Sequence, residues 1–292
     1  MKRKLKIAGL ILLVALCSAA QAFRSATVLK ETARCWTERF WESNFGIVSA
    51  AEAGSQRQDD RDDLPERDEI RQSHQLAPGA TVEVASINGS VTIETSETNT
   101  AEVLVVRSAR ERGDLQRRRV IVEATPQSLV VRGEKEERNS WRGGDVRQRV
   151  VLRLPRRVEM TVRGVNGRVS VGELEGAARL SGINGRVEVA QAIGYSEVSG
   201  INGAVQLTIA QLGERGLRMS GINGAIDLRF DPEVNADLSI SGHNGGVDTQ
   251  LPNVTLQGKL NRSNLRARIG AGGAPITLSG INGRVRLGLR EG

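Results

Sequence analysis

The chain is poor in the residues that carry most protein chemistry. Its 292 residues include two cysteines, two histidines and one tyrosine, and aromatics make up only 3%. Cys17 lies in the amino-terminal apolar stretch, so Cys35 stands alone in the remainder. That excludes an internal disulfide framework there and leaves an unpaired thiol or pairing between molecules. Zinc sites draw on paired cysteines and histidines, whereas His74 sits beside a charged segment and His243 replaces isoleucine in a repeat. No metal and no cofactor are expected. Outside the first 22 residues the lysines are Lys30, Lys135 and Lys259, none at a repeated position, which disfavours Lys–Asn isopeptide crosslinks.

The basic balance is also thinner than it looks. Lys2, Arg3, Lys4 and Lys6 precede an apolar run from Ile7 to Ala20, and Ala20-Gln21-Ala22 offers a small-x-small cleavage site before Phe23. This is the pattern of a secretory signal peptide, cut between Ala22 and Phe23, with an apolar run too short to span a bilayer. A lipoprotein through Cys17 is the lesser option, because Leu16 fills a position that favours a small residue. Taking those four basic residues from 41 leaves 37 against 34 acidic ones, a net charge of +3. Nucleic acid is therefore not the expected partner. The expected location is outside the cytoplasm: periplasm, cell surface or secreted.

Residues 23–51 read as a short helix with Trp36, Phe40, Trp41 and Phe45, suited either to membrane contact or to docking on the next domain. Residues 52–77 are rich in charge and nearly free of large apolar side chains, the composition of a disordered linker. From Pro78 onward the pattern is strand. Thr81-Val82-Glu83-Val84 and Val91-Thr92-Ile93-Glu94 alternate with period two, and similar runs continue through an N-terminal β region, 78–157. Its arginine-rich excursions at 107–119 and 133–149 read as solvated loops or strand ends.

What the chain has in abundance is one phrase. Ser-Gly-Ile-Asn-Gly occurs at 181–185, 199–203, 220–224 and 279–283, and with His243 for isoleucine at 241–245. Looser versions carry Asn88-Gly89 and Asn166-Gly167. The corners are thus Asn88, Gly89, Asn166, Gly167, Asn184, Gly185, Asn202, Gly203, Asn223, Gly224, Asn244, Gly245, Asn282 and Gly283. Asn166, Asn184 and Asn202 are 18 residues apart, and Asn202, Asn223 and Asn244 are 21 apart. The step of 38 to Asn282 leaves room for a degenerate copy near Asn264. Such a period marks one structural unit stacked many times over 158–292.

Within a unit, Leu180, Ile183, Val187 and Val189 fall on an inward face, while Arg186 and Glu188 point outward. Two folds suit this pattern. In an antiparallel meander or sandwich, each Asn-Gly is a type I′ hairpin with positive φ at both residues. In a β-solenoid, each unit of about 18–21 residues is one coil, and corners stack with asparagine over asparagine. The solenoid better accounts for repetition of the whole phrase, since a hairpin constrains chiefly its two turn residues.

The recurrent Ser-Gly-Ile-Asn-Gly-x-Val-x-Val unit resembles the bacterial candidate-adhesin domains of unknown function, including the head GIN domain. Gly79 to Val84, Asn88-Gly89 and the run from Leu152 to Asn166-Gly167 extend the resemblance over about residues 76–290. It implies an exported, repetitive β-protein and brings no catalytic pattern.

Enzymatic motifs are weak. Gly194-Tyr195-Ser196-Glu197-Val198 begins like a nucleophile elbow but lacks its closing glycine. Gly270-Ala271-Gly272-Gly273-Ala274 lacks the Lys-Ser/Thr of a phosphate loop. Asn253-Val254-Thr255 is a glycosylation sequon, meaningful only in a host that uses it. Asp227 and Asp248 occupy equivalent outward positions in successive units, so they form the speculative surface site of a carbohydrate-binding or polysaccharide-cleaving alternative. The expectation is a non-catalytic β-repeat protein, structural or adhesin-like at the cell envelope, contacting a glycan or an envelope protein. Because the last repeat lies close to Gly292, an uncapped final coil also suggests self-association into an envelope scaffold.

Overall fold

The computed structural model describes residues 64–134, 146–257 and 264–290. The chain divides after Asp63, and every described residue belongs to the second unit. The cleavage site, the aromatic helix and most of the charged segment lie outside the described residues. The described chain is all-β apart from one short helix, α1 (Arg112–Arg117).

The first nine strands are β1 (Glu66–Gln75), β2 (Ala80–Ala85), β3 (Gly89–Ser96), β4 (Thr100–Ala109), β5 (Val120–Thr125), β6 (Ser128–Gly133), β7 (Arg147–Pro155), β8 (Val158–Arg163) and β9 (Val169–Glu175). Next come β10 (Ala178–Ser181), the long β11 (Val187–Asn202) and β12 (Val205–Asn223), then β13 (Ile226–Phe230), β14 (Ala236–Ser241) and β15 (Val247–Thr249). The last four are β16 (Val254–Leu256), β17 (Asn264–Ile269), β18 (Ala274–Asn282) and β19 (Val285–Leu289).

Most of these strands stack in parallel, one repeat above the next. Val91, Val169, Val187, Val205, Ile226, Val285 and Val247 form one aligned row, and Val84, Val162, Leu180, Val198, Met219, Leu278 and Ile240 form another. Each repeat supplies a strand to the second stack, turns at Gly-Ile-Asn-Gly, and supplies a strand to the first. We refer to one such strand–corner–strand unit as a rung. Val187, Leu180 and Ile183 are buried between the stacks, as are their counterparts in neighbouring rungs. Parallel strands buried on their inner side favour this run of valine, leucine and isoleucine.

The order of rungs in space is not their order in sequence. Rung 80–96 lies between the strands β6 and β7 on one side and rung 158–175 on the other, because β2 pairs with both β6 and β8, and β3 with both β7 and β9. At the other end, rung 274–289 lies between rung 217–230 and rung 236–249. The first and last rungs of the sequence are thus each second from the outside. Antiparallel strands cover the ends: β4 and then β1 beyond β7, β5 beyond β6, and β17 and then β16 beyond β14.

Four expectations change here. The residues around Asn264 form β17, antiparallel to β14, and are not a degenerate repeat. Residues 66–75, assigned by composition to the linker, form β1; an edge strand needs only its backbone ladder and one half-buried apolar residue, Ile70, so charge is tolerated there. The final repeat is an interior rung, so the edge invoked for self-association through it is already paired on both sides. Arg107, read as part of a solvated run, is only 7% exposed and binds the carbonyls of Leu115 (2.9 Å) and Arg118 (3.0 Å), as well as Asp68. It ties α1 to β4 and β1.

Candidate functional site

The repeated phrase builds the first corner. Asn166 Nδ2 donates to Asn88 Oδ1, and the pattern continues through Asn184, Asn202, Asn223, Asn282 and Asn244, with N···O distances of 3.1–3.3 Å. Asn88 Nδ2 closes one end on the Val146 carbonyl at 3.0 Å. Every amide in this ladder points the same way. The ladder follows spatial order, with Asn282 between Asn223 and Asn244.

The corner is not a type I′ hairpin. Among the described residues, Ser86 alone is a non-glycine with positive φ, and the strands flanking each Asn-Gly bond in parallel to other rungs. The glycines carry the unusual geometry: Gly182 has φ +61°, and Gly185 has φ +154°. A Cβ on Gly185 would lie 2.1 Å from the Gly167 carbonyl oxygen, so the stacking distance itself requires glycine. His243 takes the isoleucine position of its rung, 6% exposed, with Nε2 donating to the Gly283 carbonyl at 3.1 Å. That bond satisfies one ring nitrogen in a position filled by Ile222 and Ile281 in other rungs.

Asp227 and Asp248 do not meet. Arg286 stands between them, aligned with Asp227 on one side and Asp248 on the other, and its guanidinium lies 3.9 Å from the Asp248 carboxylate. Two strand spacings, about 9–10 Å, separate the two aspartates along the stack. Asp227 instead pairs with Arg229 of its own strand at 3.3 Å. A cationic side chain between the carboxylates gives neither a shared proton nor a calcium cage, so the speculative acidic site is withdrawn.

The opposite corner is less regular and forms a groove. About 500 Å³ of open space is lined by Pro78, Gly79, Val158, Gly176, Ala177, Ile193 and Gly194, together with the charged Arg157, Glu159 and Glu175. Arg157 and Glu175 pair at 3.1 Å, and Arg179 reaches Glu159 at 3.6 Å. Ile193 is 50% exposed, unusual for a large apolar residue in this fold. Two residues further along, the chain's one tyrosine, Tyr195, carries the Arg215 guanidinium 4.3 Å from its ring centroid and donates from Oη to Glu197 at 3.2 Å. Burial, and then the Glu197 charge and hydrogen bond, push the phenol above its usual range, while Arg215 and Arg218 pull it back.

Sequence reasoning reached this segment only as a failed nucleophile elbow. Ser196 is 1% exposed and donates to Gln191 Oε1, while Gln191 donates to the carbonyls of Gly176 (2.8 Å) and Tyr195 (3.3 Å). The pair stabilises the corner and is sealed from solvent. The readable signal was different: an isoleucine and a lone tyrosine flanking Gly194 in an otherwise variable turn. The Gly270–Ala274 loop is also internally satisfied, with Ala271 N–H on Asn235 Oδ1 (2.8 Å) and Gly273 N–H on Asp237 Oδ2 (3.3 Å). Among the described residues, no group of three or more histidine, cysteine, aspartate or glutamate side chains is arranged to hold a metal.

No protein-family model matches the chain, and no curated protein matches it. Solved bacterial structures resemble it remotely. A candidate cell adhesion protein from Clostridium sporogenes is 11% identical, spanning 77% of this chain and 100% of its own, with a TM-score of 0.37. A candidate adhesin from Bacteroides fragilis is 10% identical over 76% of this chain and 98% of its own, with a TM-score of 0.34. A candidate lipid-binding protein from Parabacteroides distasonis is 8% identical over 76% and 97%, with a TM-score of 0.25. Scores this low assign no function to this chain.

Proposed function

We propose that the described domain is a β-solenoid scaffold, exported to the cell envelope, with a structural or adhesin-like binding role and no catalysis. The observation that carries this reading is the separation of constant from variable positions. Corner asparagines, corner glycines and inward aliphatics repeat from rung to rung, whereas the outward row reads Thr92, Ser170, Glu188, Gln206, Asp227, Arg286 and Asp248. A scaffold that fixes its core and frees its outer faces suits contact with other molecules. Export rests on the amino-terminal sequence pattern.

The groove lined by Ile193 and Gly194, with Tyr195 the next residue of the chain, favours a glycan as the contacted molecule. Exposed apolar surface, an aromatic ring and paired carboxylate and guanidinium groups are the elements from which sugar-binding sites are assembled. A glycan array on the full chain tests this. Binding that falls at least tenfold in both Tyr195→Ala and Ile193→Asp supports the groove. An array with no hits removes the glycan reading.

A further inference from the structure

We propose that the inverted rung order at both ends is a mechanical clamp, which holds the first and last rungs of the sequence inside the stack. In a stack built in sequence order, the last rung has one neighbour and peels by breaking one ladder. Terminal units of repeat proteins fray for this reason. Here β19 is bonded to β13 on one side and to β15 on the other, and β18 is bonded to β12 and β14. The first rung is held in the same way, β2 by β6 and β8 and β3 by β7 and β9. Extracting either rung by its chain end therefore breaks two ladders. In the outermost rung β15, three residues long, is bonded only to β19 among the described residues, and it belongs to neither the first nor the last rung of the sequence.

Charge reinforces the order at the C-terminal side. With rung 274–289 inserted, Arg286 alternates with Asp227 and Asp248. With the rungs in sequence order, the two aspartates would be neighbours, an unfavourable cross-strand pair. The clamp is a property of the fold alone; its use in adhesion rests on the reading above. A failed glycan array would leave it standing, because its test needs no ligand.

The test is single-molecule pulling on the full chain, with Cys17 and Cys35 replaced by serine and cysteine handles at exposed positions outside the strands. One pair, Pro78→Cys with Arg290→Cys, loads the clamped rungs. The other, Pro78→Cys with Gln250→Cys, loads the chain next to β15. The first rupture force is expected to be about twofold higher for the 78/290 pair, two ladders opposing one. Equal forces, or early release of 274–289 alone from the 290 handle, would overturn the clamp. Hydrogen exchange on the unmodified chain gives a second reading without substitutions. Amides of β19 should be protected like those of β13, and β15 should exchange before β19. Exchange of β19 as fast as β15 would also overturn it.

Discussion

Gly182 and Gly185 stand three residues apart in the same corner, yet they are constrained differently. Gly182 has positive φ, but the nearest atom to an added methyl would be the Gly164 nitrogen at 3.7 Å. Gly182→Ala should therefore cost about 1–2 kcal/mol, the strain of a left-handed alanine. At Gly185 the methyl meets a carbonyl oxygen of the next rung, so Gly185→Ala should cost about 3 kcal/mol or more, and Gly185→Val more again. Thermal melts of the three variants give the comparison; equal losses for the two alanines would disprove the steric account. Glu94 offers a pH test at the same scale. Burial raises its carboxyl, with Arg153 opposing and Glu102 reinforcing the shift. A raised folded value means that the protonated form binds the fold better. Its contribution is complete below the ordinary carboxylate range and is lost as pH climbs through the raised value. Glu94→Gln should accordingly melt closer to wild type at pH 3 than at pH 7, with the variant gaining relative to wild type as pH rises. A gap that narrows with rising pH would contradict the assignment.

Among elements, the rungs were the easiest to read and their order the hardest. The alternation Leu180, Ile183, Val187, Val189 announces its inward face without ambiguity, and all four are buried. The phrase is so nearly constant that any copy would fit the backbone of any slot, so nothing local distinguishes a rung that follows its predecessor from one inserted behind it. The discriminating groups are outward and long-range, Arg286 above all. The groove was missed for a related reason: it is assembled from Gly79, Val158, Ala177 and Ile193, which come from separate stretches of the chain and share no motif. Arg286→Asp would place three carboxylates in a row along the stack. Both neighbours are partly exposed, so the loss should be about 1–2 kcal/mol at low ionic strength and smaller in about 0.5 M salt. Denaturant titrations at two salt concentrations would check this, and a loss insensitive to salt would mean that packing, not charge order, is responsible.

At the scale of the whole domain, the same inward rows continue from Val84 and Val91 to Ile240 and Val285 as one connected core. Removing the side chain of a central corner residue therefore touches both adjacent rungs. Ile201→Ala should lose about 3 kcal/mol, within the range for a buried isoleucine. His243 lies in the outermost rung, so His243→Ala should lose less. If the two losses were equal, the corner row would not be graded from centre to end.

The ladder also bears on how the protein ages. Asn-Gly is the dipeptide most prone to deamidation, in which the glycine nitrogen attacks the asparagine side-chain carbonyl and expels ammonia. Seven such pairs would make an unfolded chain short-lived as a covalent object. In the fold, the glycine N–H groups after Asn88, Asn166, Asn184, Asn202, Asn223 and Asn282 each donate to the backbone carbonyl of the adjacent asparagine at 2.9–3.0 Å, holding the nucleophile away from its target. Gly245 has no such bond among the described residues, and the Asn244 side chain ends the ladder. Peptide mapping by mass spectrometry after prolonged incubation should find Asn244 converted first. Once aspartate stands at one position, its neighbour loses an amide donor, and chemical damage can then pass inward, one rung at a time, from the end at which it began.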